Sequence, residues 1–346
     1  MLAHREFIMS DHKKKLLKVE NLGVRFPLKN KSIIGKKSYL YAVDDISFEI
    51  NRGETLAIVG ESGSGKTTAA LATARLVQAY TGKITLENIN LQEIQKEELR
   101  QVRTKVQFIF QDPYSSLNPR LRAEEIVKEP LNSLTNFSSS KKQKLVNELF
   151  KAVGLRPEQQ RLFPHQFSGG QRQRIGVARA LSTQPDLIIC DEPVSALDVA
   201  VQAQILNLLR ELQTKFGLAY LFISHDLGVV QHMCDQVAVM YMGKIVEYAD
   251  RLSLFNNPLH PYTSALLSAI PSIDQTRREK TERILIPGDP PDPINPPIGC
   301  RFANRCPVAK EICYQKEPQL NEIKNGHKVA CHLVDKKANS PLESLK

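Results

Sequence analysis

A short apolar run, Thr55-Leu56-Ala57-Ile58-Val59, leads straight into Gly60-Glu61-Ser62-Gly63-Ser64-Gly65-Lys66-Thr67. No other feature restricts the fold as strongly. A run this short and apolar suits a strand buried on both faces of a parallel sheet, and Thr67–Val77 carries a helical pattern. The octet fits G-x-x-x-x-G-K-[ST] in the context that gives it meaning, between a strand and a helix. Its glycines let backbone N–H groups turn inward around phosphate oxygens, and the helix that follows adds its positive end. Lys66 is placed to contact β- and γ-phosphates and the Thr67 hydroxyl to ligate Mg²⁺, while Thr68 beside it joins the nucleotide-binding residues. The pattern predicts a site for ATP or GTP.

Further apolar runs recur at Val106–Phe110, Leu187–Cys190 and Leu218–Ile223, separated by helical patterns such as Val201–Lys215. Leu17–Phe26 and Tyr41–Ile50 alternate like half-buried strands, with a Lys- and Gly-containing loop between them. Strands alternating with helices predict an α/β core. Residues 112–180 are polar, carry helical patterns such as Lys141–Val153 and lack buried-strand runs, so they are expected to form a helical insertion. Beyond about Asn256 proline becomes dense, and Pro287–Pro297 excludes regular helix.

Several strand ends carry chemistry. Leu187–Cys190 runs into Asp191-Glu192, placing an acid pair at the C-terminal edge of the sheet, where open α/β sheets bind ligands. Asp191 is suited to holding Mg²⁺ through water, and Glu192 to polarising an attacking water as general base. Phe167-Ser168-Gly169-Gly170-Gln171 introduces a helical pattern, so its N–H groups stand at a helix N-terminus. Ser195-Ala196-Leu197-Asp198 follows the acid pair, Gln111 ends the Val106–Phe110 run, and His225 ends Leu218–Ile223.

Charge and cysteine usage narrow the class. The chain has 346 residues, a length that suggests about two domains, and a net charge of +10. Such a balance admits nucleic acid, an anionic membrane or phosphate ligands. Residues 1–40, however, hold ten Lys/Arg against three Asp/Glu, so most of the excess sits in an N-terminal arm. Residues 1–15 read as a polar tail, and Met9 marks a second candidate start. No apolar run approaches the roughly 18 residues of a membrane span, and no signal-peptide stretch opens the sequence; a cytoplasmic chain is expected. Four of six cysteines, Cys300, Cys306, Cys313 and Cys331, fall near the end. In that compartment clustering points to a metal or cluster before disulfides. Cys190 reads as a small core residue, and Cys234 shows no evident partner.

In this order the motifs resemble the nucleotide-binding subunit of an ABC transporter, over roughly residues 16–255. Gly60–Thr67 matches the Walker A motif, Gln111 the Q-loop, Ser168–Gln171 the signature, Asp191 and Glu192 Walker B with its catalytic glutamate, Ser195–Asp198 the D-loop and His225 the switch histidine. Phe167 stands where many members have leucine. Tyr39 and Tyr41 are candidates to stack on adenine, with Tyr41 favoured. The resemblance implies a P-loop NTPase fold: a RecA-like core, an antiparallel β subdomain and a helical insertion. It also implies that two cassettes sandwich two ATPs, so that Gln111 joins Thr67 and Asp191 around Mg²⁺ while Ser168, Gly169, Gly170, Gln171 and Asp198 act across a dimer interface.

Gln111–Arg120, Pro193–Leu208, His260-Pro261-Tyr262-Thr263 and Gly288–Cys300 with Arg305-Cys306-Pro307 are similar to oligopeptide/dipeptide importers, especially their F-type subunit. Residues 256–346 would then be that family's C-terminal extension, a small irregular segment bearing the cysteines. The spacing C-x5-C-x6-C-x17-C itself favours neither zinc nor a [4Fe–4S] cluster; the resemblance implies the cluster. It further implies two transmembrane permease subunits, a second homologous ATPase subunit, a peptide-binding protein acting indirectly, and a place on the cytoplasmic face of the inner membrane. A soluble ABC ATPase working on DNA or ribosomes is the competing class, but the heptads and paired cassettes usual there are lacking, so no nucleic acid is expected. Metal complexes and sugars remain alternative cargoes. Replacing Glu192 with Gln is expected to lower ATP turnover about 10²–10⁴-fold, the usual scale for a general base, while nucleotide binding persists. Steady-state hydrolysis with a parallel binding assay measures both, and near-native turnover would refute the assignment.

Overall fold

Apolar residues lie in short, fully buried runs, and these become the strands at the centre of the fold. The structure, a computed structural model, describes residues 14–28, 38–270, 284–289, 291–335 and 339–342. Most of the polar tail, the loop expected between the first two strands and the end of the extension lie outside the described residues. In chain order the main elements are β1 (Lys15–Pro27), β2 (Tyr39–Asn51), β3 (Thr55–Val59), α1 (Lys66–Thr73), β4 (Thr81–Leu86), β5 (Ile89–Asn90), α2 (Lys96–Lys105) and β6 (Val106–Ile109). There follow α3 (Ala123–Leu134), α4 (Ser139–Ala152), α5 (Gly169–Leu181), β7 (Leu187–Asp191), α6 (Val199–Phe216), β8 (Ala219–Ser224), α7 (Leu227–Met233), β9 (Gln236–Tyr241) and β10 (Lys244–Asp250). Then come α8 (Arg251–Asn256), α9 (Pro261–Ser268), α10 (Glu311–Gln315), β11 (Asn321–Lys324) and β12 (His327–Val329). The chain divides into two compact units, one of residues 1–18, 49–55 and 84–223, the other of residues 19–48, 56–83 and 224–346.

In the first unit β6, β7 and β8 lie side by side and parallel, with Val106 opposite Leu187 and Leu187 opposite Ala219. Every residue of β7 and β8 is buried, as expected of parallel strands covered on both faces. Helix α6 begins at Asp198, whose carboxylate accepts from the Val201 N–H (2.9 Å), and ends at Gly217 in the left-handed conformation, a cap at each end. Its buried Ile205, Leu208, Leu209 and Leu212 recur at helical spacing. Residues 112–180 contain α3, α4 and most of α5 and no strand among the described residues. Arg52 donates to Asp186 (3.0 Å) and to Glu87, which also pairs with Lys105 (2.6 Å). This network joins the segments ahead of β3, β6 and β7.

In the second unit β3 runs parallel to β9, Leu56 opposite Gln236, and β9 continues through antiparallel β10 to β12 and β11. The C-terminal extension is irregular through its proline-rich part, yet it adds two short strands to this sheet. Three or four residues with charged side chains gave no sequence signal for them. The strands β4, β5, β9 and β10 and the helix α2 were likewise not anticipated. Helix α1 stops at Thr73 instead of running to Val77, because Arg75 turns to a positive φ of 54° and Leu76 folds back onto the Leu71 carbonyl (2.8 Å).

The core of this unit contains one deeply buried carboxylate. Glu247 on β10 is fully buried and accepts from the N–H groups of Leu259 (2.7 Å) and His260 (2.9 Å), with His327 Nε2 at 2.7 Å. Its four lone-pair directions are thus largely used, as a buried charge requires. Burial pushes the His260 pKa down to about 4, so the ring is neutral at pH 7 and its Nδ1 accepts from the Tyr262 N–H (3.1 Å). His260-Pro261-Tyr262 therefore starts α9 with a side-chain cap and a proline in the first turn.

Candidate functional site

The residues singled out in the sequence divide between the two units. Tyr41, Gly60–Thr68, His225 and the four clustered cysteines belong to the second, and Gln111, Ser168–Gln171, Asp191, Glu192 and Asp198 to the first. Within the second unit the loop from Gly60 to Lys66 links β3 to α1. Gly60 has φ 153°, and a Cβ there would stand 2.1 Å from the Met240 carbonyl oxygen; at Gly65, φ 100°, it would stand 2.1 Å from that of Ala42. Only glycine meets both the dihedral and the space. Ser62 and Gly63 are exposed at the tip.

Helix α1 has no side-chain N-cap and no acid in its first turn. Its leading N–H groups and partial positive charge are those that an anion satisfies. Lys66 is nearly buried, and its ammonium donates to the carbonyls of Gly60 and Glu61, both at 2.8 Å. The amine is thus already held over the loop that it closes. Thr67 stands exposed at the helix start. The loop is tied from behind, since Gly243 in the β9–β10 turn donates its N–H to the Ser64 carbonyl (2.8 Å). Tyr41 packs edge-on to Tyr80 with ring centroids 6.1 Å apart, whereas the Tyr39 ring is covered by Arg25 at 4.2 Å. His225 is exposed between β8 and α7, and Asp226 beside it caps α7 through Gly228 N–H (2.8 Å).

In the first unit Asp191 ends β7 buried, and Glu192 follows at φ 45°. A left-handed glutamate costs about 1 kcal/mol, and such strain concentrates where a side chain has to be aimed. The Glu192 N–H donates to the Ile223 carbonyl (3.0 Å) and its carboxylate accepts from the Gln111 amide (2.8 Å). The structure therefore brings together Gln111 and Glu192, from the ends of neighbouring strands. Ser168 caps α5: its hydroxyl accepts from the Gln171 N–H (3.3 Å) while the Gln171 amide oxygen accepts from the Ser168 N–H (3.1 Å), a reciprocal capping box. Asp112 accepts from Tyr114 and Ser115, and these bonds hold its carboxyl below the ordinary value.

The four clustered cysteines line one cavity together with His260 and Phe302. All are free thiols. Burial, with a smaller contribution from the nearness of the other three, pushes Cys300 up to about 12; burial, with Cys331 and Cys313 nearby, pushes Cys306 up to about 11, and burial also raises Cys331. Among the described residues no set of three His, Cys, Asp or Glu side chains is drawn close enough to hold a metal ion. The same segment supplies Arg301, which the sequence did not single out, and a role for Arg305, which stands out there only as part of the stretch Arg305-Cys306-Pro307. Arg301 donates to the Met242 carbonyl and to Asp44, and Arg305 forks onto Glu61 at 2.8 and 3.3 Å. Each stands next to a cysteine, and nothing in the local sequence points to these contacts.

Residues 43–195 match the family described as ABC transporter, and residues 246–313 match the oligopeptide/dipeptide transporter C-terminal region. The chain is 48% identical to the oligopeptide transport ATP-binding protein AppF of Bacillus subtilis, covering 92% of this chain and 97% of that protein. It is 49% identical to the putative oligopeptide transport ATP-binding protein YkfD of the same organism, covering 92% and 95%. Among solved structures, the dimeric ATP-binding cassette MJ0796 in a post-hydrolysis state with ADP and Pi matches with TM-score 0.60 at 28% identity, over 68% of this chain and 99% of that one. The cassette cbiO1 of Clostridium perfringens, part of the cbiONQ transporter complex, matches with TM-score 0.60 at 26% identity, over 70% and 92%.

Two glycines of α5 give opposite expectations. A Cβ on Gly170 would stand 2.4 Å from Val201 Cγ1 on α6, while one on Gly176 meets nothing within 4 Å. Gly170→Ala is expected to destabilise by about 1–3 kcal/mol, the cost of overpacking. Gly176→Ala is expected to be neutral or to stabilise by up to about 1 kcal/mol through helix propensity. Urea unfolding of the two variants measures the contrast.

Proposed function

Because the chain belongs to the ATP-binding proteins of ABC transporters, in the oligopeptide/dipeptide group, we propose that it binds MgATP and couples its hydrolysis to the import of oligopeptides or dipeptides. The observation that carries the nucleotide part is the uncapped start of α1 behind a loop that only glycines can form, with the Lys66 ammonium held over it. In this reading the N–H groups of residues 60–68 and Lys66 take the phosphates, Thr67, Gln111 and Asp191 hold Mg²⁺, and Tyr41 stacks on adenine. Glu192 accepts a proton from the attacking water, with Gln111 and His225 positioned around the reacting phosphate. Ser168–Gln171 and Asp198 belong to the face presented to a second cassette.

The cassette spans residues 16–255 and the extension 256–346. Among the described residues no helix is long and apolar enough to cross a membrane. In this reading two permease subunits supply the path across it, and the chain docks on their cytoplasmic side. A homologous second ATPase subunit and a peptide-binding protein complete the system. Cys300, Cys306, Cys313 and Cys331 line one cavity; their donor chemistry is that of a [4Fe–4S] cluster or zinc, and since among the described residues no three such side chains stand close enough to hold a metal ion, binding would have to draw them together. Cysteine thiolates would hold such a group and so cross-link the extension, and loading would release protons from Cys300 and Cys306, whose thiols burial keeps protonated.

The test is ATP turnover by the full chain assembled with its permease subunits in lipid vesicles. Peptide-loaded binding protein is expected to stimulate turnover and DNA to leave it unchanged. Iron and acid-labile sulfide analysis of the same preparation is expected to find both, with a loss in Cys306→Ser. Stimulation by DNA instead of the binding protein would contradict the transport reading, and absence of both iron and zinc would contradict the proposed centre.

A further inference from the structure

The C-terminal extension reaches the phosphate loop directly. Arg305 lies in the short turn Ala303–Arg305, bounded by Cys300 and Cys306 on the cavity they line. Its guanidinium donates to both carboxylate oxygens of Glu61, Nη1 to Oε2 at 2.8 Å and Nη2 to Oε1 at 3.3 Å, and Nη1 also reaches the Tyr241 hydroxyl at 3.3 Å. Arg305 is nearly buried, and a two-pronged pair of this kind fixes direction as well as distance. Glu61 is the second residue of the phosphate loop, and it is held at three points. Its carboxylate takes Arg305, its N–H donates to the Tyr262 hydroxyl (2.9 Å), and its carbonyl accepts from the Lys66 ammonium (2.8 Å). Tyr241, Tyr262 and Phe302 pack with ring centroids 4.7 to 5.4 Å apart, so the groups gripping Glu61 stand on one aromatic cluster.

Arg301 makes a second brace. It holds the Met242 carbonyl and Asp44, while Gly243 donates to Ser64 and accepts from the Asp44 N–H (2.9 Å). Both arginines come from the extension: Arg305 ends on the side chain of a loop residue, and Arg301 on Met242 and Asp44, which flank the Gly243 that holds Ser64 of the loop.

We infer that Arg305 is a positioning residue for nucleotide binding, setting the phosphate loop and Lys66 through its fork on Glu61, with Arg301 supporting the loop from behind. This inference rests on the nucleotide reading given above. It makes the extension part of the ATP site's architecture. An exposed glycine-rich loop otherwise samples many conformations, and fixing one in advance removes an ordering cost from binding. Lysine keeps the charge but lacks the planar fork, so Arg305→Lys is not a conservative change here.

The test is a double-mutant cycle on the full chain, with MgATP as the probe: Arg305→Ala, Arg305→Lys, Glu61→Ala and the Arg305→Ala/Glu61→Ala double variant. Equilibrium binding of MgATP is read together with KM and kcat of the assembled ATPase. Arg305→Ala is expected to weaken MgATP binding about tenfold, within the usual range of coupling between sites. KM should rise while kcat changes little, Arg305→Lys should fall between, and the double variant should be no weaker than the single ones. If Arg305→Ala lowers thermal stability too far for binding to be read, Arg305→Lys and Glu61→Ala carry the test. Wild-type MgATP affinity in these variants, or additive losses in the double variant, would overturn the inference. Failure of the wild-type chain to bind MgATP would instead refute the nucleotide reading itself.

Discussion

A loop that presents backbone N–H groups to an anion must be bent into conformations that side chains forbid, and the second unit is arranged around that constraint. Gly60 and Gly65 lie against the carbonyls of Met240 and Ala42, so the strands behind the loop touch it where no Cβ fits. The parallel pairing of β3 with β9 brings Met240 there, and the turn after β9 lets Gly243 donate to Ser64. The loop is thus a product of the sheet's register as much as of its own glycines. Helix α1, uncapped by any side chain, leaves its dipole for the ligand.

The first unit meets a different demand, fixing two acids at the end of a strand, where the proposed function needs them. β7 delivers Asp191 buried and Glu192 in a strained left-handed conformation. The Gln111 amide at the end of β6 grips the same carboxylate. Backbone bonding on one side and an amide on the other hold this carboxylate in one direction, which the general-base role proposed for it would require. Ser168 meanwhile uses its hydroxyl and N–H with Gln171 to begin α5, which orders the helix start that a partner cassette would face.

The phosphate loop, the acid pair and the α5 start were legible in the sequence because each is a local pattern, complete within about ten residues and framed by an apolar run. The α/β class and helical insertion followed from the same periodicities. What escaped was non-local. Glu61 and Arg305 are separated by 244 residues, and nothing near either names the other. The hairpin β11–β12 escaped because it is too short and too charged to show alternation, and joins the sheet through β10 only in three dimensions. The early end of α1 depends on Arg75 adopting a conformation that its side chain does not advertise. His260-Pro261-Tyr262 was noticed as a resemblance, and its physical purpose appears only once the Tyr262 hydroxyl is seen against Glu61.

Receipt of the MgATP phosphates by the Gly60–Thr67 loop can be measured by calorimetric titration of MgATP into the full chain carrying Glu192→Gln, so that turnover does not consume the ligand, with and without Lys66→Ala. Saturable binding is expected, lost or reduced at least about a hundredfold when the ammonium is removed, the scale of a charged hydrogen bond left unmade. Equal affinity in both proteins would contradict it.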